Sequence, residues 1–197
     1  MPHVIIIAGP NGAGKTSAAP GLLNQTLNVS HFVNADTIAA GLSAYAPEKA
    51  AIQAGRVMLE RMRYLAADGE DFAFETTLAS RSFAPWIVDL KKKGYLFHLT
   101  FLLLNSADFA VLRVSERVKM GGHFVPEETI RRRYNAGLRN FFNLYTPIAD
   151  SWQMYDNSDI GNPVRVASKI GDKLEIQNAT TWQRLVEVYD ETKKNRR

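Results

Sequence analysis

Two apolar patterns alternate along the chain. Short and nearly continuous apolar runs predict strands at 4–8, 31–34, 72–74, 95–104 and 152–156. Such runs are typical of a parallel sheet that is covered on both faces. Between them, apolar residues recur every three or four positions, which predicts helices at about 14–23, 47–67, 82–93, 107–119 and 126–144. Strands that alternate with helices predict an α/β fold of three layers around a five-stranded, mostly parallel sheet.

The last part of the chain departs from this alternation. Residues 164–168 and 173–177 resemble a hairpin around Gly171 and Asp172, and a closing helix follows through about Thr192. Further upstream, Gly121 and Gly122 separate two helices that carry arginines, which predicts a mobile lid over about 113–133. We interpret residues 1–197 as a single domain, because a chain of 197 residues has room for one substantial core.

Composition and charge narrow the class of protein. Apolar residues make up 46% of the chain and charged residues 22%, as is ordinary for a soluble globular protein. No apolar run approaches the roughly 20 residues needed to cross a bilayer, and the N-terminus lacks a secretory signal, so we expect a cytoplasmic protein without membrane contacts. The absence of cysteine excludes disulfides and thiolate chemistry. The formal charge of +4 is partly carried by residues 193–197, so it does not indicate a nucleic-acid partner.

The most specific motif follows the first predicted strand. Residues 9–16 read Gly9-Pro10-Asn11-Gly12-Ala13-Gly14-Lys15-Thr16 and match G-x-x-x-x-G-K-[ST] at every fixed position. Backbone N–H groups of such a P-loop, with those that open the following helix, bind phosphates. We therefore predict a nucleoside triphosphate site over Gly9 to Ser17, in which Lys15 reaches the β- and γ-phosphates and the Thr16 hydroxyl ligates Mg²⁺.

Polar residues directly after the other strands are further candidates, because ligands bind beyond the carboxyl ends of such strands. Asp36 is suited to accept a proton from an attacking hydroxyl, or alternatively to cap the next helix. Glu75 is suited to hold Mg²⁺ directly or through water. Thr77, with Thr76 before it, either binds substrate or caps the next turn. Asn157 either meets the adenine ring of a nucleotide or forms an Asx turn.

Arginines form the second strong feature. Phosphoryl transfer spreads negative charge over the transferred oxygens, so a kinase needs cations that close over them. Arg113 and Arg117 are four residues apart and therefore share a helix face. In the run Arg131-Arg132-Arg133 only one or two side chains can face the same way, and for Arg131 we favour a solvent-facing role. His123 is suited either to touch phosphate or to shape the loop between the helices.

An ordered set of motifs spans about residues 4–158: G-P-N-G-A-G-K-T, V-N-A-D-x-I-A, F-E-T-T-L, R-V-x-x-G-G-H-x-V-P-E-E-x-I-x-x-R-Y and Y-D-N-S. This set resembles the zeta toxin family, whose larger toxins are ATP-dependent kinases of UDP-N-acetylglucosamine. The resemblance implies a P-loop kinase fold in which Lys15 and Thr16 keep their phosphate and metal roles. It also implies Asp36 as the base, Glu75 with Thr77 at the metal and substrate edge, and Arg117 as a clamp on phosphate.

Departures from the larger toxins concern mainly the acceptor side. Ala79 stands where those toxins carry an arginine, so Arg81 is expected to compensate. His123 stands in place of a second clamping arginine, so Arg133 is expected to reach in from the next helix. The compact chain also has less room for insertions that bind the uridine end. Glu60 matches a family residue on the acceptor side.

The sequence therefore predicts an ATP- and Mg²⁺-dependent kinase of a small-molecule hydroxyl, with UDP-N-acetylglucosamine as the best single acceptor. Another metabolite, a nucleoside or a nucleic-acid end is the alternative acceptor. A nucleotide-dependent ATPase or switch without an acceptor is the alternative class. The resemblance also raises a protein antitoxin as a partner.

Overall fold

A mixed β-sheet forms the middle of the molecule. The computed structural model describes residues 1–26, 29–159 and 161–191, so the charged residues 193–197 and the predicted helix end at Thr192 lie outside the described residues. Seven strands follow one another across the sheet in the order β2-β3-β1-β4-β5-β6-β7. They are β1 (His3–Ala8), β2 (His31–Val33), β3 (Phe72–Thr76), β4 (Leu96–Leu103), β5 (Ser151–Asp156), β6 (Val164–Ile170) and β7 (Lys173–Ile176).

The first five strands are parallel to one another, whereas β6 and β7 pair antiparallel. The predicted α/β fold is confirmed, but the predicted count of five strands is wrong. The predicted C-terminal hairpin forms over β6 and β7, and β6 also pairs with β5, which extends the sheet to seven strands. Three consecutive residues of β6, Val166, Ala167 and Ser168, are buried. A hairpin that stood apart from the sheet would leave them exposed.

Seven α-helices connect these strands within the described residues. They are α1 (Lys15–Thr26), α2 (Ala35–Leu42), α3 (Ala51–Ala67), α4 (Phe83–Lys92), α5 (Ala107–Lys119), α6 (Glu127–Asn140) and α7 (Ala179–Tyr189). A 3₁₀ turn (Pro47–Ala50) leads into α3, and a π-helical turn (Phe141–Tyr145) continues α6. The sequence predicts bounds for the other helices but not for α2, because the eight residues of α2 are too few for a clear apolar period. None of these helices is long and apolar enough to cross a membrane.

The central strand β1 is buried on both faces, as its continuous apolar run predicts. Ile5 and Ile7 pack in a small cluster with Ala19 of α1. Val4 and Ile6, which point to the opposite face because strand side chains alternate, belong to a large cluster with residues of α3 to α7. Helices thus cover both faces of the sheet in the three layers that the sequence predicts.

The five parallel strands end at one edge of the sheet. The residues that directly follow them are Gly9, Asn34, Thr77, Leu104 and Asn157. In the register of β1 against β3, Ile7 lies opposite Glu75 and Ala8 opposite Thr76. The acidic end of β3 is therefore adjacent to the start of the P-loop, which is where the fold concentrates its polar side chains.

Candidate active site

The P-loop is packed tightly on three sides. Gly9, Gly12 and Gly14 have φ angles of 147°, 82° and 75°, which favour glycine. A Cβ at Gly9 would collide with the Leu102 carbonyl oxygen. A Cβ at Gly12 would lie 2.8 Å from the Cβ of Arg113, and one at Gly14 would lie 2.9 Å from Asn157 Nδ2. Each glycine is thus required by both its backbone angle and its neighbour, which fixes the loop against β4, α5 and the residue after β5.

Lys15 is buried at the first position of α1, with 7% of its surface exposed. Its Nζ donates a hydrogen bond to the Pro10 carbonyl oxygen at 3.0 Å and lies 3.7 Å from Glu75 Oε1. Burial lowers the pKa of Lys15, while the carboxylates of Glu75 and Asp36 act in the opposite direction. The ammonium is held in the concave side of the loop, where phosphate oxygens bind in P-loop proteins.

Glu75 accepts two hydrogen bonds on one carboxylate oxygen. Thr16 Oγ1 donates to Glu75 Oε2 at 2.8 Å, and Asn34 Nδ2 donates to the same oxygen at 2.8 Å. A hydroxyl beside a carboxylate is the oxygen donor set that Mg²⁺ takes when phosphates and waters complete its shell. No cluster of three or more His, Cys, Asp or Glu side chains forms anywhere in residues 1–26, 29–159 and 161–191. Thr16 and Glu75 therefore fit Mg²⁺ bound together with a nucleotide rather than a metal held by protein alone.

Asn34 is the N-cap of α2. Its Oδ1 accepts the backbone N–H groups of Asp36 at 2.7 Å and Thr37 at 3.2 Å. The alternative expectation that Asp36 caps this helix is wrong, because Asn34 already satisfies the free N–H groups. Asp36 lies in the first turn of α2 with its side chain exposed.

A cavity of about 240 Å³ is lined at this edge by residues from six parts of the chain. The predicted site residues on its wall are Lys15, Asp36, Glu75, Thr77 and Arg133, together with Asn11 of the P-loop. Burial and the adjacent Arg132 lower the pKa of Arg133, while Asp36 acts to raise it. Among the described residues, the Arg133 guanidinium has no hydrogen bond or ion pair. We refer to this space as the acceptor cavity.

A second cavity of 540 Å³ lies on the other side of the P-loop. Its wall includes Gly14 and Ser17 at the start of α1, Arg113 of α5, and Tyr155 and Asn157 at the end of β5. Arg113 Nη1 is buried and has no hydrogen-bond partner among the described residues, although the guanidinium lies over the Phe109 ring at 5.8 Å. Its volume falls within the roughly 300–1,000 Å³ of small-molecule sites. We refer to this space as the nucleoside cavity, after the occupant that we propose for it below.

Asn157 lines the nucleoside cavity, and its side chain is hydrogen-bonded to the P-loop. Its Nδ2 donates to the Ala13 carbonyl oxygen at 2.8 Å, and its side chain is buried. The alternative expectation of an Asx turn at Asn157 is wrong, because that turn forms one residue earlier. There Asp156 Oδ1 accepts the Ser158 N–H at 2.9 Å.

The predicted lid region consists of α5, a connection through Gly121 and Gly122, and α6. Arg117 Nη2 donates to the His123 carbonyl oxygen at 2.8 Å, and Gly122 N–H bonds the Arg117 carbonyl oxygen at 2.9 Å. Arg117 Nε is buried and without a partner in the described part of the chain. The positive charge of Arg117 also acts to lower the pKa of Lys15. His123 thus shapes the loop through its backbone, and the charge of Arg117 lies close enough to Lys15 to act on its pKa.

The sequence profile of the zeta toxin family matches residues 1–160. The chain belongs to the zeta toxin family. A protein of Haemophilus influenzae (strain ATCC 51907 / DSM 11121 / KW20 / Rd), itself described as uncharacterized, is 30% identical over 130 residues, which are 66% of this chain and 91% of that protein.

Solved structures share the fold at low sequence identity. A chain of the PezAT chromosomal toxin-antitoxin system of Streptococcus pneumoniae aligns with a TM-score of 0.63 and 18% identity, over 99% of this chain and 82% of that chain. A chain of the AvrRxo1-ORF1:AvrRxo1-ORF2 complex with sulphate ions aligns with a TM-score of 0.75 and 15% identity, over 96% of this chain. This zeta toxin family member spans 64% of the length of that AvrRxo1 chain. The same complex with ATP gives a TM-score of 0.73, 17% identity and the same coverage of both chains. Family membership and the P-loop fold together support a nucleotide-dependent kinase.

Two residues implied by the zeta toxin resemblance lie away from these cavities. In the described structure, Glu60 on α3 and Arg81 before α4 are exposed and line neither the acceptor cavity nor the nucleoside cavity. Thr76 and Thr77 both line the acceptor cavity. Thr76 Oγ1 also accepts the Leu78 N–H at 3.1 Å, so Thr76 caps the turn that follows β3.

The three arginines of the run Arg131-Arg132-Arg133 point in different directions, as helix geometry requires. Arg131 forms ion pairs with Asp108 at 2.6 Å and with Glu127 at 2.8 Å, in keeping with the solvent-facing role that we favour for it. Arg132 is exposed, and Arg133 turns to the acceptor cavity. Sequence reasoning did not single out Asn34 as a site residue. The available signal was a residue of strong N-cap preference at the end of a predicted strand.

Proposed function

We propose that this chain is an ATP- and Mg²⁺-dependent kinase that phosphorylates a hydroxyl of a small molecule, with UDP-N-acetylglucosamine as the first candidate acceptor. One observation carries the proposal: a single cavity joins the P-loop cation Lys15 to an exposed carboxylate, Asp36, and to an unpaired guanidinium, Arg133. A site that only bound nucleotide would need neither of the last two groups. Zeta toxin family membership supports the same reaction class.

The donor side of the proposal rests on the P-loop and the nucleoside cavity. Phosphates would bind the backbone of Gly9 to Thr16, and the nucleoside would extend past Ser17 toward Arg113. The AvrRxo1-ORF1:-ORF2 complex has been solved with ATP, and its fold covers 96% of this chain. We therefore propose ATP as the phosphoryl donor.

The transfer step follows from the groups around the acceptor cavity. Asp36 would accept the proton of the acceptor hydroxyl as that oxygen forms a bond to the γ-phosphorus. The bond from the γ-phosphorus to the bridging oxygen breaks, and its electron pair leaves with ADP. Lys15, Arg117 and Arg133 would stabilise the negative charge on the transferred oxygens. Thr16 and Glu75 would hold Mg²⁺, which when bound neutralises charge on the phosphate oxygens.

The acceptor assignment rests on family resemblance and on cavity size. The acceptor cavity measures 240 Å³, which is below the roughly 300–1,000 Å³ of sites that enclose a drug-sized ligand. It would therefore take the reacting sugar ring of UDP-N-acetylglucosamine, while the uridine end would extend into solvent.

We further propose that the protein acts in the cytoplasm and has a protein antitoxin. The PezAT structure belongs to a toxin-antitoxin system, and its fold covers 99% of this chain. Expression from an inducible promoter should arrest growth, and Lys15→Ala should relieve the arrest. Unimpaired growth with a catalytically active protein would contradict a toxic role.

The deciding experiment is a transfer screen with γ-labelled ATP over sugar nucleotides, nucleosides and oligonucleotide ends. We expect label in UDP-N-acetylglucosamine with the wild-type protein and none with Asp36→Asn, which should still bind ATP. Asp89→Asn is the matched control, because Asp89 is an exposed carboxylate of α4 that pairs only with Lys92 at 2.9 Å in the described structure. Transfer by Asp36→Asn would remove Asp36 as the base. ATP hydrolysis that no acceptor changes would favour the ATPase or switch class instead.

A further inference from the structure

We propose that Asn34 is a positioning residue that couples the Mg²⁺-side carboxylate, Glu75, to the helix turn that carries the base, Asp36. This inference rests on the proposed kinase function. The sequence motifs assign no role to Asn34 itself. The geometry does, because one side chain makes hydrogen bonds to both halves of the site.

The orientation of the Asn34 amide is fixed by its partners. Oδ1 accepts the N–H groups of Asp36 and Thr37 at 2.7 and 3.2 Å, and a backbone N–H can only donate. Nδ2 must therefore face the other way, where it donates to Glu75 Oε2 at 2.8 Å. A second contact joins Nδ2 to Thr16 Oγ1 at 3.4 Å. Only 5% of Asn34 is exposed, so water does not compete for these bonds.

The contacts of Asn34 connect the donor and acceptor sides of the site. Glu75 and Thr16 are the oxygens that would hold Mg²⁺ with the nucleotide. Asp36 lies on the acceptor cavity with its carboxylate exposed, so its position depends on the first turn of α2. No other side chain in the described ranges bonds both to Glu75 and to the α2 backbone. A bound metal–nucleotide complex would fix the positions of Glu75 and Thr16. The Asn34 amide would then pass this restraint to the first turn of α2, which carries Asp36.

Three variants separate the helix-capping role of Asn34 from its hydrogen bond to Glu75. Asn34→Ser keeps a favoured N-cap residue but is too short to reach Glu75 from the cap position. Asn34→Ala loses both functions. Asn178→Ala is the matched control, because Asn178 caps α7 through Oδ1 to the Thr181 N–H at 3.0 Å and lies outside the site.

The first measurement is hydrogen exchange of residues 35–42 with and without ATP and Mg²⁺. In the wild type and in Asn178→Ala, the metal–nucleotide complex should slow exchange in this segment. In Asn34→Ser the protection should fall by about tenfold, which is the order expected from one hydrogen bond to a charged group. Equal protection in Asn34→Ser and wild type would overturn the proposal.

The second measurement is binding of a fluorescent ATP analogue with and without Mg²⁺. The gain in affinity from Mg²⁺ should shrink by about tenfold in Asn34→Ser, while its melting temperature stays near that of the wild type. Asn178→Ala should show the opposite pattern, with a lower melting temperature and an unchanged gain from Mg²⁺. A purely structural role would lower the melting temperature of Asn34→Ser and leave the Mg²⁺ effect intact.

Turnover separates this proposal from the proposed function. If an acceptor is phosphorylated, Asn34→Ser should lower kcat with little change in the KM for the acceptor, because the base is displaced and the cavity wall is kept. If no acceptor is phosphorylated by the wild type, the proposed function fails, but exchange and Mg²⁺-dependent binding still decide whether Asn34 couples Glu75 to α2.

Discussion

Replacing Gly137 by alanine should displace the loop that carries Thr77. Gly137 is buried on α6, and a Cβ there would lie 2.5 Å from the Thr77 carbonyl oxygen. The loop has little freedom to move away, because Asn140 Nδ2 donates to the carbonyl oxygens of Leu78 at 2.9 Å and Ala79 at 3.1 Å. Leu78 also has a φ of 59°, an unfavourable angle for leucine that the surrounding contacts maintain.

The size of the effect follows from two opposed terms. Alanine is favoured over glycine in a helix interior by about 1 kcal/mol, and overpacking against fixed atoms costs about 1–3 kcal/mol. Gly55 of α3 supplies the helix term alone, since a Cβ there would meet no described atom within 4 Å. At about 2–4 °C per kcal/mol for a chain of this size, Gly55→Ala should raise the melting temperature by about 2–4 °C. Gly137→Ala should melt about 2–12 °C below Gly55→Ala.

Thermal unfolding of both variants and the wild type in one buffer provides the test. Transfer kinetics add a second readout, since Gly137→Ala should lower kcat/KM for the acceptor while the KM for ATP stays unchanged. An equal rise in melting temperature for Gly137→Ala and Gly55→Ala would refute the reasoning. Such a result would mean that the loop yields freely and that its contacts with α6 do not position Thr77.

Other predictions concern charge. Burial and the neighbouring His3 hold the pKa of His98 below its ordinary value of about 6.5. Below about pH 6.5 the unfolded chain therefore binds more protons than the folded chain, so the free energy of unfolding should fall as the pH drops. The urea midpoint of the wild type should fall with it, and the midpoint of His98→Gln should fall less over the same pH range. Arg113→Ala should raise the KM for ATP about tenfold, whereas Arg131→Ala, whose guanidinium is already paired, should not. Arg133→Ala should lower kcat without changing ATP affinity in a binding titration, because Arg133 is proposed to stabilise the transferred oxygens; an unchanged kcat would exclude that role.

The geometry of the P-loop could be predicted from sequence because the loop and its flanking elements are built from consecutive residues. A strand, a glycine-rich loop and a helix follow one another, so residues 9–16 specify their own geometry. Glu75 could be predicted for a similar reason, since parallel strands end at a common edge. The extension of the sheet to seven strands could not be predicted from sequence. The apolar alternation within 164–168 predicts a strand but does not say that this strand pairs with β5.

The exposed position of Glu60 follows from the helix face on which it lies. Met58 and Met62 are buried on α3, and Glu60 lies midway between them, so it points away from the core and from the acceptor cavity. The apolar period of α3 alone predicts this exposed position of Glu60. The role of Asn34 could not be predicted in the same way, because its local pattern is that of an ordinary N-cap. Its bond to Glu75 spans 41 positions and depends on the pairing of β2 with β3.

The contacts of α6 fix Arg133 relative to the loop that carries Thr77. Arg133 lies on α6, which is fixed to the Thr77 loop by the close approach of Gly137 and by Asn140, and Tyr145 OH adds a hydrogen bond to the Ser80 carbonyl oxygen at 2.7 Å. Arg117 lies on α5, where its guanidinium donates to the His123 carbonyl oxygen, and the Arg131–Asp108 ion pair holds α6 to α5. We therefore expect α5, α6 and the Thr77 loop to keep Arg133 at the acceptor cavity whether or not nucleotide is bound. The acceptor cavity would then be preformed, and acceptor choice would depend on the fixed unit of α6 and its loop rather than on lid movement.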